Sequence, residues 1–266
     1  MSEFFGKIGE SAAMLLAGMG RLSGLFFQVT GILIQAPFRR KSVQSRHVFH
    51  QMVLMGVDSL PIICLVGASV GMVLALQAAY QLKQFGAQLY TGSLVSVSVT
   101  RELGPMVAAI VLSGRVGARL AAELGTMKVQ EEVDALSTMG LNPIQYLVVP
   151  RCLSFILILP CLTVITDVLG MIGGFLISTL GLNMNPYLYI AKTIDALVLK
   201  DIYTGLIKSG LFAVLIALVS CHEGLCVEGG ADGVGRATTS AVVTSIVLIL
   251  LVDCLATAVL YYVLPA

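Results

Sequence analysis

The sequence predicts an all-α integral membrane protein: an amino-terminal interfacial amphipathic helix followed by five transmembrane helices. Two observations carry that expectation. Of 266 residues, 57% are hydrophobic and 12% charged, with a mean hydropathy of +0.94, more apolar surface than one soluble core of this size can hide. The apolar residues are also gathered into five runs, each able to supply the ~20 helical residues that cross about 30 Å of hydrocarbon.

The first element is the least regular. Residues 2–36 are apolar, but Lys7, Arg21, Gln28 and Gln35 recur at multiples of seven and hold one slowly drifting stripe. A narrow polar stripe suits a helix lying in the interface, and 1–45 reads as that helix and its linker; a sixth span is the alternative. Lys7 and the run from Ala12 to Met19 imitate a secretory leader, but no small-x-small cleavage site follows.

The spans follow at 53–79, 95–118, 152–182, 206–227 and 238–263, so 53–263 is a five-span core within a single domain, 1–266. The third is too long for one upright helix and too short for two with a turn, and reads as one tilted span. With the amino terminus inside, the cytoplasmic segments hold Lys7, Arg21, Arg39, Arg40, Lys41, Arg46, Arg115, Arg119, Lys128, Arg151 and Arg236, against Lys83, Lys192 and Lys200 outside. This positive-inside bias puts the amino terminus in the cytoplasm and the carboxyl terminus on the far side. Arg101 and Lys208 remain within or at the edge of spans.

No basic block resembles a nucleic-acid patch, so no nucleic-acid partner is expected. The six cysteines include no CxxC pair and sit mostly in apolar runs, where a thiol behaves as a small hydrophobe; no disulfide framework is expected. No internal repeat is visible. A homodimer would supply the two-fold symmetry that transporters often build from repeats. Gly67 with Gly71, and Gly170 with Gly173 and Gly174, are small-residue faces that can pack helices within a chain or between chains.

The charges inside the spans are the candidate chemistry. Glu102 lies about nine residues, or about 13 Å, from the outer end of the second span, too deep for a carboxylate to reach water. Pro105 lacks a backbone donor and disfavours helix at Gly104, which loosens the ladder beside Arg101 and Glu102. Gln77 lies at comparable depth in the first span. Gln77, Arg101 and Glu102 are therefore expected to line a polar spot in the outer half of an apolar cavity; the alternative is that Arg101 and Glu102 pair elsewhere and fix helix packing. Asp58, with Pro61, marks the start of the first span, and Asp167 and Asp253 stay open between buried hydrogen bonding and cation binding. Arg115, Arg119 and Glu123 share a helical face, where Arg119 and Glu123 are spaced to pair.

Between the second and third spans, Val129, Val133 and Leu136 follow helical spacing across 126–140, with Gly140 and Asn142-Pro143 as the stop. The polar face carries Glu131, Glu132 and Asp134, the wrong sign for an anionic inner leaflet, so a soluble protein partner is expected. Gly230-x-x-Gly233-x-Gly235 lacks the Lys and Ser/Thr of a phosphate loop and reads as a flexible turn. Cys221, His222, Glu223 and Cys226 fit no standard zinc spacing. Neither a metal nor another cofactor is expected.

These stretches together resemble the MlaE/YrbE family of lipid-transport ABC permeases. The likeness runs from about residue 50 to the end through GMVLALQ at 71–77, RELGPMVAA at 101–109, SGRVGA at 113–118, GTM at 125–127, EEVDALSTMG at 131–140 and GRATT at 235–239. It implies the MlaE-like permease fold in a bacterial inner membrane, as a homodimer, and no enzyme activity of its own. It further implies a separate ABC ATPase subunit docked on 126–140, an MCE-domain protein on the outer side and, in some members, a STAS-domain subunit. The implied substrate is phospholipid or a related lipid moved between the inner membrane and the outer envelope, and Gln77, Arg101 and Glu102 match cavity positions. Read from residues alone, the rivals are an ion- or proton-coupled secondary transporter using Glu102, Asp167 or Asp253, and a lipid-acting membrane enzyme, for which no nucleophile–base pair is recognisable.

Overall fold

The computed structural model describes residues 45–263 and, in isolation, Gly24. Apart from that one residue, the interfacial helix expected over 2–36 lies outside the described residues. Five helices are long and apolar enough to cross a membrane: Val48–Gln84, Gln88–Val129, Ile144–Gly181, Leu199–Leu225 and Gly230–Leu260.

The first span joins α1 (Ser45–Gly56) to α2 (Leu60–Gln84) through a 3-10 turn, Val57–Ser59. The sequence put the start of this span at Asp58 and Pro61. The helix begins earlier, because Pro61 falls in the first turn of α2, where a missing N–H is harmless. The second span is α3 (Thr91–Ser98), α4 (Gly104–Leu112) and α5 (Ala118–Val129), joined by two π-type turns at Val99–Leu103 and Ser113–Gly117. The third is one continuous rod, as its length required. Its main part is α7 (Val149–Leu176), preceded in the chain by the short helix α6 (Glu132–Thr138). A surface helix, α8 (Pro186–Ala196), leads into α9 (Leu199–Leu225) and then α10 (Gly230–Val263). Because the third span separates α6 from α8, the bundle has an α6 end and an α8 end.

Glycines decide how closely α2 and α7 approach. A β-carbon on Gly71 would stand 1.9 Å from the Gly170 carbonyl oxygen, and one on Gly173 would stand 2.2 Å from that of Ala68. The two small-residue faces seen in the sequence therefore interlock with each other inside one chain, the close backbone approach that membrane helices use in place of a hydrophobic driving force. Buried hydroxyls along α7 return to their own helix: Thr163 donates to Leu159 at 2.9 Å and Thr166 to Leu162 at 2.8 Å. No donor is left facing hydrocarbon at those positions. An apolar core built on Leu112, Leu120, Phe155, Leu159, Phe212 and Ile216 holds the second, third and fourth spans together.

Burial is uneven. Only 11% of the apolar window of α10 is buried in the chain, against 56% for α9. Two further expectations need correcting. The helix foreseen across 126–140 is split: 126–129 finish α5, Glu131 adopts φ 60°, and α6 covers only Glu132–Thr138. The glycines at 230–235 do not form a turn. Gly229 and Gly230 take the positive φ values that end the preceding loop, and α10 starts at Gly230 itself.

Candidate functional site

The break in the second span is where the charges gather. In the π-type turn the Gly104 N–H reaches back to the Val99 carbonyl. Pro105 has no N–H to give to Thr100, the carbonyl next in line. Helix α9 fills that gap with a glycine: a β-carbon on Gly205 would lie 2.3 Å from the Thr100 oxygen. The wide turn, the proline and Gly205 together let α9 lie against the very turn that carries Arg101 and Glu102.

Each of the two charges finds a partner across that contact. Arg101 Nε donates to Asp201 Oδ1 at 2.5 Å; the arginine is half-exposed and the aspartate side chain is buried. Asp201 also accepts the Val198 N–H at 3.4 Å, and it sits in the first turn of α9, where a helix favours negative charge. Glu102 pairs with Lys208 of α9, and Lys208 in turn lies 3.0 Å from Asp253 Oδ1 of α10. The Thr257 hydroxyl accepts from Lys208 at 2.6 Å and stands 3.2 Å from both Glu102 carboxylate oxygens. One lysine of α9, 2% exposed, is thus shared by a carboxylate of the second span and by a carboxylate and a hydroxyl of α10. A buried ammonium is tolerable only when it is paired in this way.

Gln77 is not drawn into this network. It is exposed on α2, and among the described residues neither Arg101 nor Glu102 bonds to it. Lys208 is visible in the sequence as a charge within or at the edge of a span, without a role, and Asp253 as a residue open between hydrogen bonding and cation binding; Asp201 and Thr257 carry no signal of their own. Depth was the signal that could have joined the first two to Glu102. Lys208 lies nine residues into α9 and Asp253 ten residues from the end of α10, so each is about 14 Å from the α8 end, as Glu102 is.

At the α6 end, Arg119 Nε pairs with Glu123 Oε1 at 2.7 Å, as its spacing predicted. Lys128 bonds both carboxylate oxygens of Asp134 at 2.9 Å, which ties α6 to α5 across the Glu131 break. Glu131, Glu132 and Met139 are exposed, while Val133 is buried.

Residues 48–259 match the family model described as Permease MlaE. The chain belongs to the MlaE permease family. It is 44% identical over 80% of its length to a probable ABC transporter permease protein of Rickettsia typhi, covering 83% of that protein. Identity is 38% to a probable ABC transporter permease protein of Rickettsia conorii, over 94% of this chain and 95% of the relative. The Arabidopsis thaliana protein named trigalactosyldiacylglycerol 1, chloroplastic, is 36% identical over 78% of this chain and 59% of its own length. As an MlaE permease the chain is a multi-pass transport subunit of the ABC type, all-α with five spans, and such a permease implies a partner ATPase subunit. The Glu102–Lys208–Asp253 network lies wholly inside the matched MlaE region, as does the acidic α6.

Proposed function

We propose that this chain is the permease subunit of an ABC lipid transporter that moves phospholipid or a related lipid between the inner membrane and the outer envelope. The observation that carries the reading is the position of the charged network beside a helix with almost nothing on it. Arg101 and Glu102 keep 49% and 39% of their side-chain surface exposed, and α10, which supplies Asp253 and Thr257, is bare along most of its apolar length. A second copy facing α10 would close these walls into an apolar cavity with a small polar spot. A lipid with roughly 30 methylenes would lose on the order of 25 kcal/mol on exposure of its tails to water, at ~0.8 kcal/mol per CH₂, so such a cavity must stay apolar. The name of the Arabidopsis relative, which refers to a glycerolipid, agrees with this substrate class.

In this reading Gln77, Arg101 and Glu102 meet the lipid, with Gln77 brought to the cavity by assembly of the homodimer. Glu131 and Glu132 on the exposed face of α6 receive the separate ATPase, and Asp134 braces that face through Lys128. The α6 end is cytoplasmic. The α8 end faces outward, where an MCE-domain protein continues the route, and a STAS-domain subunit completes the complex in some systems.

The test is transfer of a fluorescent phospholipid in vesicles holding the chain and its ATPase. Transfer should require ATP, ignore an imposed proton gradient, and stop in Glu102→Trp, which fills the cavity, while ATPase binding persists. Transfer driven by the gradient without ATP, and abolished by Glu102→Gln, would establish the ion-coupled reading instead.

A further inference from the structure

A second polar site lies at the other end of the bundle. Between α1 and the second span is a shallow groove, open to its surroundings, with a cavity volume of about 30 Å³. Leu54, Met55 and Leu120 give it apolar walls, and Arg115, Arg119 and Glu123 line it together with Gln51. Arg115 Nη1 donates to the Ser59 hydroxyl at 2.6 Å, and that hydroxyl in turn donates a hydrogen bond to the Met55 carbonyl at 2.6 Å. Arg119 gives Nε to one oxygen of Glu123, and Arg151 Nη2 lies 3.5 Å from the other.

The charge does not balance. Glu123 stands between two guanidinium groups, Arg115 makes no ion pair among the described residues, and three cations therefore meet one carboxylate. Asp58, next to Ser59 in sequence, is exposed and does not line the groove. The free edges of Arg115 and Arg119 present several N–H donors with fixed fork geometry, which match the oxygens of a phosphate better than those of any neutral ligand. The surroundings choose the kind of phosphate. Val53 and Val57 do not line the groove, but they are exposed on the other side of the same stretch of the first span, so an apolar environment, a place for acyl chains, surrounds the groove. Basic pockets between spans at a membrane boundary are suited to anionic headgroups.

We propose that this groove holds the phosphate headgroup of an anionic phospholipid, its acyl chains lying along α1. The site is separate from the Glu102 network: Arg115 is 13 residues further along the same span, or about 20 Å. It stands whether or not the chain transports lipid.

The experiment places a photo-crosslinker at position 51 of the full chain in phosphatidylcholine nanodiscs and compares capture of labelled phosphatidylglycerol with labelled phosphatidylcholine at equal mole fraction. Phosphatidylglycerol should be favoured, and Arg115→Gln or Arg119→Gln should each reduce that preference by about fivefold. Arg119 is 46% exposed and does not touch Ser59, so its variant keeps the result readable if loss of Arg115 disturbs the fold. Millimolar inorganic phosphate should leave capture unchanged. Displacement by inorganic phosphate would overturn the lipid assignment in favour of a free-anion site. Equal capture of the two lipids, a preference untouched by both substitutions, or crosslinking to the ATPase polypeptide in place of lipid in the assembled complex would each overturn the proposal.

Discussion

Asp167 occupies the space that a side chain at Gly104 would need: its Oδ1 lies 1.6 Å from where a β-carbon would stand on that glycine. The carboxyl of α7 is buried directly against the helix break that carries Arg101 and Glu102, and this oxygen has no hydrogen-bond partner among the described residues. Gly104→Ala should therefore destabilise the chain by about 1–3 kcal/mol, the usual effect of overpacking a tight contact. The measurement is thermal unfolding in detergent. Asp167→Ala combined with Gly104→Ala should recover more than half of the loss, and strict additivity of the two substitutions would show that they do not meet.

Lys208 is the shared cation of the network, so its removal leaves Glu102 and Asp253 as uncompensated neighbours. Lys208→Met should cost on the order of 3 kcal/mol, the low end for breaking a buried pair, because Glu102 keeps 39% exposure. Adding Glu102→Gln and Asp253→Asn to Lys208→Met should restore stability, since no charge is then left unpaired. Denaturant or thermal unfolding of the wild type, the single variant and the triple variant separates charge pairing from simple loss of packing.

Glu131 does two jobs that substitution can separate. Its φ of 60° makes the turn between α5 and α6, and its carboxylate is exposed on the proposed docking face. Glu131→Gly should hold or raise stability by up to about 1 kcal/mol, because glycine relieves the left-handed strain, and should weaken ATPase stimulation only mildly while Glu132 remains. Glu131→Lys with Glu132→Lys should abolish copurification of the ATPase with no comparable change in melting temperature. Undiminished stimulation of the ATPase by the double reversal would move the docking face elsewhere.

Tyr189 gives a pH signature at the α8 end. Burial pushes its phenol up to about 12, with the neighbouring Ser178 pulling slightly the other way. A folded-state value above the unfolded value of about 10 means that the native state holds this proton more tightly. The stability it contributes is complete below about pH 10 and is lost as pH rises toward 12. Hydrogen exchange in α8 should accelerate across that window. Tyr189→Phe should remove most of the dependence, because the ring and its edge-on contact with Phe175 at 5.8 Å remain.

Most of the framework was legible in the sequence because it rests on local regularities. Apolar run length located the five spans, and spacing by four located the Arg119–Glu123 pair. The charged network was not legible, because its partners are 106 and 155 residues from Glu102 and no periodicity relates residues on different helices. The helix break was visible at Gly104-Pro105, whereas the glycine that fills it, Gly205, is one of many in the chain. Helix α8 was passed over although its start is marked: Asn185 accepts the N–H groups of Tyr187 and Leu188 at 3.0 and 3.4 Å, immediately before Pro186. The turn expected at 230–235 erred by weighing glycine content above the apolar run that follows it.

The two π-type turns give the second span a mechanical character. It is a lever whose fulcrum at Ser113–Gly117 stands between α5, at whose end α6 is pinned by Lys128 and Asp134, and the segment that ends in Glu102. From fulcrum to Glu102 is 11 residues, an arm of about 17 Å. A bend of about 10° at Ser113–Gly117 would carry Glu102 sideways by about 3 Å, since displacement is arm length times angle. A displacement of that size would part it from Lys208, and a tug on α6 that bent the span there would open a charge pair half a membrane away.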